Sequence, residues 1–363
     1  MLWGEQYNRK VSDILVVQED ISREISQKLR LRLSSEDQKR LDKRYTENAE
    51  AYQLYLKGRY SWNRRSPEAL KQGIEYFQQA IALDPNYALA YSGLADSYYN
   101  LGAFGGVPPD EVRRTGKEAA LKSVELDGTL AEGHSSLGSI KEWYEWDFAG
   151  ADREYQRALE LNPDYPTAHE RYGVFLAHLG RFDQALAELK RAQQLDPLSL
   201  IINSDLGWVY YVARQYDEAI AQLQETIKLD PTFGRAHFSL AECYAGKHLY
   251  TEALAEALKY AEVSGLKGRG QLGYFYAVAG NRDEALKILA EMQETAKQRY
   301  VPSGAFAQIY VGLNEKEQAF AWLEKAYQQK GPGMTNLKVE PRSDNLRSDP
   351  RFADLVKRVG FPP

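Results

Sequence analysis

The sequence predicts an all-α protein in which short helices stack in pairs along a solenoid. Three observations indicate this class. A motif ending in Leu-Asp-Pro or Leu-Asn-Pro recurs at Pro163, Pro197 and Pro231, which are 34 residues apart. Small residues recur at fixed offsets between those prolines, and one four-residue signature recurs near the middle of each unit. Internal repetition of this length is typical of repeat proteins in which each unit is one supersecondary element.

Each 34-residue unit has room for two helices of about a dozen residues and their turns. Isolated helices of that length are marginal in water, so the units must stack to be stable. Gly173 with Ala185 and Gly207 with Ala219 stand at equal offsets in two consecutive units. Small residues at these offsets let two helices approach closely. The next unit, 232–265, ends in Gly265 where its neighbours end in proline.

The second helix of a unit is marked by an aromatic or charged residue, two polar residues and an alanine. This signature occurs five times in phase, at Phe182 to Ala185, Tyr216 to Ala219, Tyr250 to Ala253, Arg282 to Ala285 and Lys316 to Ala319. The pattern resembles the tetratricopeptide repeat over about three quarters of the chain, roughly residues 50 to 331. That resemblance implies a right-handed superhelical solenoid of about eight helix-turn-helix units with capping helices at both ends.

The chain divides into three predicted regions, 1–45, 46–331 and 332–363. In the first, Ile14, Ile21 and Leu29 lie on one face of an amphipathic helix predicted over residues 11–33. The opening 30 or so residues resemble the end of the TolB-like domain that precedes tetratricopeptide arrays in some bacterial regulators and receptor-type kinases. An N-terminal pair of capping helices is the alternative. In the third region, a loop leads to a helix with Phe352 and Leu355 on one face, expected to cap the array.

Composition excludes several classes of function. No apolar run approaches the length of a membrane helix, so no membrane span is predicted. Forty-six basic residues against 51 acidic ones give a net charge of -5, which argues against direct binding of nucleic acid. Met1 is not followed by a secretory signal pattern, so a cytoplasmic location is expected, or a membrane-linked one within a longer protein. The single Cys243 forms no internal disulfide.

Two motifs resemble sites of chemistry but fit packing better. Gly268 to Gly273 matches G-x-G-x-x-G, yet a helix precedes it where a dinucleotide turn needs a strand. His134, His169 and His237 share one repeat offset, which indicates packing in place of metal coordination. We therefore predict no catalytic residue, no cofactor and no metal, and we do not expect an enzyme.

The resemblance implies that the first helix of each unit lines a concave groove. The candidate partner-binding residues at its inward offsets are Tyr99, Ser204, Trp208, Tyr211, Phe238, Glu242 and Tyr274. Trp208, Tyr211, Phe238 and Tyr274 would form an aromatic strip suited to a protein or peptide partner. The alternative is that the superhelix closes over these aromatic side chains and they are core. None of these candidate residues is Lys, Arg or Asn, which argues against a clamp for a C-terminal peptide carboxylate.

The sequence thus predicts a non-catalytic scaffold that binds another protein through its groove. The alternative is the sensory or regulatory arm of a larger bacterial transcription regulator or serine/threonine kinase. The identity of the partner and the oligomeric state are left open by the sequence.

Overall fold

The computed structural model describes residue 43 and residues 45–103 and 107–362, without the side chains of 265–269. The helix predicted over residues 11–33 and the TolB-like resemblance lie outside these ranges. All regular structure in the described residues is helical. Among them, no helix combines the length and the apolar character that crossing a membrane requires.

The helices follow one another in pairs joined by short turns. In chain order they are α1 (Ala49–Asn63), α2 (Pro67–Leu83), α3 (Ala88–Ala103), α4 (Lys117–Leu126), α5 (Ala131–Ile140), α6 (Phe148–Leu161), α7 (Pro166–His178), α8 (Phe182–Leu195), α9 (Leu200–Val212), α10 (Tyr216–Leu229), α11 (Gly234–Gly246), α12 (Tyr250–Val278), α13 (Arg282–Ala296), α14 (Ser303–Gly312), α15 (Lys316–Gln328) and α16 (Pro350–Val359). With α12 shared between two units, the described helices before α16 form the eight pairs that the repeat predicts. The all-α tetratricopeptide-type superhelix is confirmed.

The helix boundaries follow from the repeated turn chemistry. All five predicted signatures begin a helix, namely α8, α10, α12, α13 and α15. The preceding helix ends in a residue of left-handed backbone conformation, as at Gly180 with φ 81° and Arg214 with φ 65°. One such residue reverses the chain within a tight turn.

Small residues occur where helices touch, as the spacing predicts. A Cβ atom on Gly207 would lie 2.6 Å from Cγ of Leu223, closer than two carbon atoms can pack. Ala185 and Ala219 are fully buried. The repeated small positions are therefore close contacts between the two helices of a unit.

The unit boundary expected at Gly265 is wrong, because α12 runs through it as one helix of 29 residues. At the equivalent position the other units carry a proline, which has no N–H to continue the helix. Gly265 keeps its N–H, so the second helix of one unit continues into the first helix of the next. The G-x-G-x-x-G motif lies inside this helix, where the strand and turn of a dinucleotide site do not exist.

A π-helical turn, Lys141–Glu145, lies between α5 and α6. Trp146 follows it with φ 61°. A second π-helical turn, Val112–Gly116, follows the short helix Pro109–Glu111 and leads into α4. Single π turns of this kind absorb one inserted residue without breaking the helix.

After α15 the chain forms two 3-10 helices, Pro332–Asn336 and Pro341–Leu346. We call residues 332–346 the C-terminal segment. Its apolar side chains are buried in the main hydrophobic core, among them Met334, Leu337, Val339 and Leu346. The segment is therefore packed inside the superhelix.

Helix α16 then packs on α15 and buries Phe352 and Leu355. Contacts between distant units close the superhelix. The Nζ of Lys338 donates to the carbonyl oxygen of Leu179 at 3.1 Å, and the rings of Phe148 and Phe361 lie 5.0 Å apart. The last unit thus returns towards the third and fourth units, and the C-terminal segment crosses the space between them. The three predicted region boundaries stay predictions.

Candidate functional site: the concave groove

The candidate groove residues are brought together, but most of them are buried. Tyr211 is fully buried, Tyr274 is 7% exposed and Trp208 is 8% exposed. Ser204 and Glu242 are also buried, while Phe238 and Tyr99 are half-buried. The aromatic strip is therefore not an open surface of this chain, because the C-terminal segment lies on it. That these residues bind a partner stays a prediction.

Tyr211 and Arg214 hold the C-terminal segment by its carboxylates. The Tyr211 hydroxyl donates to Oε1 of Glu340 at 3.0 Å. The Arg214 guanidinium donates to both carboxylate oxygens of Asp344 at 2.8 and 3.1 Å. It also donates to the carbonyl oxygen of Val339 at 2.9 Å. One tyrosine and one arginine of the groove thus bind two acidic side chains that are four residues apart.

Arg342 inserts between the aromatic rings of the strip. Its guanidinium carbon lies 5.5 Å from the centres of both Phe238 and Tyr274, and it pairs with Glu242 at 3.1 Å and Glu340 at 2.9 Å. Burial alone would raise the pKa of Glu340, but Arg342 holds that pKa below its usual value. Burial raises the pKa of Glu242 to about 8 against the same arginine. The single guanidinium of Arg342 is therefore paired with two buried carboxyl groups, those of Glu242 and Glu340.

The N-terminal half of the groove is lined by charge. We call Arg59, Trp62, Arg65, Asp96, Tyr99, Glu170, Arg171, Asp205 and Arg235 the N-terminal groove. Arg171 pairs with Asp96 at 2.9 Å, both almost completely buried, and Arg59 lies 3.7 Å from the same carboxylate. Arg235 pairs with Asp205 and keeps 45% of its side chain exposed.

Glu170 is a third carboxyl group of the N-terminal groove. Burial and the neighbouring Asp205 raise the pKa of Glu170 well above its ordinary value. The four arginines of this groove face three carboxyl groups, so this part of the surface favours an anionic ligand.

Sequence reasoning missed the arginines of the N-terminal groove for two reasons. Arg59 stands at an inward offset, one residue after Gly58, in the first unit, whose offsets were not considered, and the other arginines stand outside the inward offsets. Arg171 lies two residues before the small Gly173, and Arg65 and Arg214 each lie seven residues after a small glycine. A signal existed, since two units carry arginine at a turn position where others carry Gly180 and Gly280. The absence of basic side chains inferred from the inward offsets does not hold for the groove as a whole.

The repeated histidines bridge each helix pair to the preceding turn. Nδ1 of His169 lies 2.6 Å from Glu188 Oε2, and its Nε2 lies 2.8 Å from the carbonyl oxygen of Pro163. His237 makes the same contacts with Glu256 and Pro231, at 2.5 and 2.9 Å. Each imidazole is therefore engaged in structural hydrogen bonds at both nitrogens. Within the described part of the chain, no group of three or more His, Cys, Asp or Glu side chains is placed to hold a metal ion.

Comparison with known proteins gives consistent findings. A family described as tetratricopeptide repeat matches residues 142–199 and 204–265. The transcriptional regulator HilA of Salmonella typhimurium is 25% identical over 158 residues, which are 44% of this chain and 28% of that protein. The putative adenylate cyclase 3 of Rhizobium meliloti is 26% identical over 144 residues, 39% of this chain and 24% of that protein. The chain thus spans about a quarter of the length of these curated relatives.

Among solved structures, the human IFIT1 dimer with PPP-AAAA is similar with a TM-score of 0.58 and 16% identity, over 91% of this chain and 78% of that chain. At this identity the likeness shows the fold alone. It agrees with the stacked helix pairs described above.

Proposed function

Since the chain is a tetratricopeptide repeat protein, we propose that it is a non-catalytic scaffold that binds a partner protein along the N-terminal groove. Repeats of this kind support a role in protein interaction. The observation that carries the proposal is the division of the groove into two halves. The C-terminal segment fills one half, and the other half presents partly exposed charged and aromatic side chains.

The half of the groove that the C-terminal segment fills supports the proposal that a partner binds in the N-terminal groove. The C-terminal segment buries four large apolar side chains, each contributing about 1.5–3 kcal/mol. Exchanging it for a partner would expose all of them to water. The N-terminal groove needs no such exchange, because Arg59 and Arg235 already keep 25% and 45% of their side chains exposed.

The partner proposed is a protein with acidic side chains. Arginine forks pair well with carboxylates, and aromatic side chains such as Tyr99 provide apolar contact area.

Site-specific photo-cross-linking tests this function. Tyr99 on α3 faces the groove and is replaced by the photoreactive benzoylphenylalanine, which keeps the first aromatic ring and adds a benzoyl group. The control carries the same residue at Arg191, an exposed position on α8 that pairs with Asp164. We expect one protein to be cross-linked from position 99 in extracts of the source cells and not from position 191. Equal cross-linking from both positions, or none from position 99, would contradict the proposal.

A second candidate function is the regulatory arm of a larger protein. It is favoured by the two curated relatives, one a transcriptional regulator and one a putative adenylate cyclase, of which this chain covers only part. In that case the groove would bind a segment of its own longer chain. Sequencing the coding region upstream of Met1 tests it, and an in-frame DNA-binding or catalytic domain is the expected result.

A further inference from the structure

Two pairs of residues occupy the same positions in two different repeat units. Trp62 and Arg65 stand four and seven residues after the small Gly58 of the first unit. Tyr211 and Arg214 stand four and seven residues after Gly207 of the fifth unit. Both arginines have a left-handed backbone, with φ 53° at Arg65 and 65° at Arg214. The fold therefore presents the same two side-chain positions twice along one groove.

The second pair is filled by the chain itself. The Tyr211 hydroxyl and the Arg214 guanidinium bind Glu340 and Asp344, with a backbone carbonyl accepting from the arginine as well. Every side-chain hydrogen bond described for Tyr211 and Arg214 is donated to the C-terminal segment or to the local turn. This pair shows which ligand the two positions accept, namely a segment with two carboxylates four residues apart.

The first pair has the donors without the acceptors. Trp62 is 4% exposed, and neither its Nε1 nor the Nε of Arg65 has a hydrogen-bond partner among the described residues. The guanidinium carbon of Arg65 lies 3.8 Å from the centre of the Trp62 indole, so the two unpartnered N–H groups are neighbours. Arg65 donates to the neutral amide oxygen of Asn100 and forms no ion pair with a carboxylate in the described ranges.

Arg65 is a half-buried cation that pairs directly with no carboxylate of the described residues, so a partner's carboxylate would be favourable there. Burial lowers the pKa of Arg65 to about 10, and the charges of Glu170 and Asp96 offset that lowering only in part. The other arginines of the N-terminal groove differ, since Arg171 and Arg235 have Asp96 and Asp205. Arg65, stacked on Trp62, therefore lacks the carboxylate partner that Arg171 and Arg235 have among the described residues.

We propose that Trp62 and Arg65 bind an acidic segment of the partner protein in the manner in which Tyr211 and Arg214 hold the C-terminal segment. The indole N–H donates to one carboxylate, and the guanidinium forks onto a second carboxylate four residues further along. This inference rests on the proposed scaffold function and specifies the chemistry of its partner.

A peptide with the sequence of residues 338–347 is the probe, because it carries the carboxylates of Glu340 and Asp344 at the required spacing. Its binding to the full chain is measured by fluorescence anisotropy of a dye on the peptide. A second peptide with Glu340→Gln and Asp344→Asn is the matched probe without the two carboxylates. We expect saturable binding of the peptide that carries both carboxylates and at least about tenfold weaker binding of the one that lacks them, as for loss of charge-assisted hydrogen bonds.

Variants of the chain locate the binding. Arg65→Gln is expected to weaken binding of the peptide with both carboxylates about tenfold or more, and Trp62→Phe to weaken it by a smaller factor while keeping an aromatic ring. Arg64→Gln, an exposed neighbour that loses the same charge, is the control and is expected to bind as the parent chain does. Thermal unfolding of Arg65→Gln is expected at the parental midpoint or above, since the variant removes an uncompensated cation. Arg65→Lys, which keeps the charge without the fork, serves if Arg65→Gln does not fold.

Several results would overturn the inference. They are no saturable binding of the peptide with both carboxylates, equal binding of both peptides, or equal binding to Arg65→Gln and the parent chain. A single-stranded RNA oligonucleotide that binds in place of the peptide, or dimerisation lost in Arg65→Gln, would assign the pair to another occupant. If position 99 still cross-links its protein in the Arg65→Gln background, this inference fails while the proposed scaffold function stands.

Discussion

At the scale of single residues, two polar pairs alternate at one repeat position. His169 with Glu188 and His237 with Glu256 are 68 residues apart, and the unit between them carries Asn203 with Gln222 at the equivalent places. Asn203 donates to the carbonyl oxygen of Pro197, as the histidines contact Pro163 and Pro231, and its amide oxygen accepts from Gln222 at 3.0 Å. The repeat therefore performs the same bridging with a titratable pair or with a neutral one.

The titratable pairs make stability depend on pH. The hydrogen bond with Glu256 raises the pKa of His237, and burial opposes it without reversing the direction. A raised pKa in the folded state means that the protonated form stabilises the fold. That contribution is complete below the pKa of about 6.5 of a free histidine and is lost as the pH rises through the folded value.

We therefore predict that His237→Asn combined with Glu256→Gln flattens the pH dependence. The neutral pair copies Asn203 and Gln222, so it retains the bridge without a titrating group. The measurement is the free energy of unfolding in urea at pH 6 and pH 8. The parent chain is expected to lose about 1 kcal/mol more than the double variant over this range, the scale of a hydrogen bond to a charged group. An identical loss in both would show that the pair does not titrate with folding.

A second prediction at this scale concerns close packing. Ala219 is fully buried where the two helices of its unit meet. Ala219→Leu inserts extra atoms into a filled contact and is expected to destabilise the chain by about 1–3 kcal/mol. Denaturant unfolding measures it, with Ala221→Leu, a partly exposed position on the same helix, as the control. An unchanged unfolding midpoint in Ala219→Leu would show that the repeat frame is misplaced.

At the scale of elements, the sequence predicted helix starts well and long-range contacts poorly. The five signatures located five helices because each is a local pattern of turn and first-turn residues. The burial of Trp208 and Tyr211 was not predictable in the same way, since it depends on a segment more than 120 residues further along. Nothing local to Glu340 or Arg342 indicates that they return to the groove.

The continuous helix α12 shows a different limit. A missing proline at Gly265 was visible in the sequence, yet small residues are compatible with both a turn and a helix. Arg65 and Arg214 show a third limit of the sequence prediction, because their long side chains reach the groove from turn positions. Inward offsets define where a Cβ points and not how far a guanidinium extends.

Removal of Arg342 is expected to be strongly destabilising. Arg342 pairs with two buried carboxyl groups and packs between two rings, so Arg342→Met leaves Glu242 and Glu340 uncompensated. We expect a loss of about 3–5 kcal/mol in the free energy of unfolding. Arg351→Met, which removes an exposed arginine from α16, is the control and should leave stability nearly unchanged. Comparable effects of the two substitutions would mean that the C-terminal segment is not held in the groove.

At the scale of the whole molecule, the C-terminal segment occupies one half of the concave surface, and we propose that the N-terminal groove binds a partner. The last unit returns towards the third and fourth units, which gives the segment a defined path through the groove. This closure fixes one half of the surface, so a partner in the N-terminal groove would not have to displace the C-terminal segment.

Hydrogen–deuterium exchange of the full chain, with and without the peptide of residues 338–347, tests this division most directly. The account predicts that residues 337–346 are protected from exchange in the free chain and that the peptide adds protection at residues 59–65 and 96–100. Protection gained at residues 208–214, together with faster exchange at residues 337–346, would show instead that ligands displace the C-terminal segment.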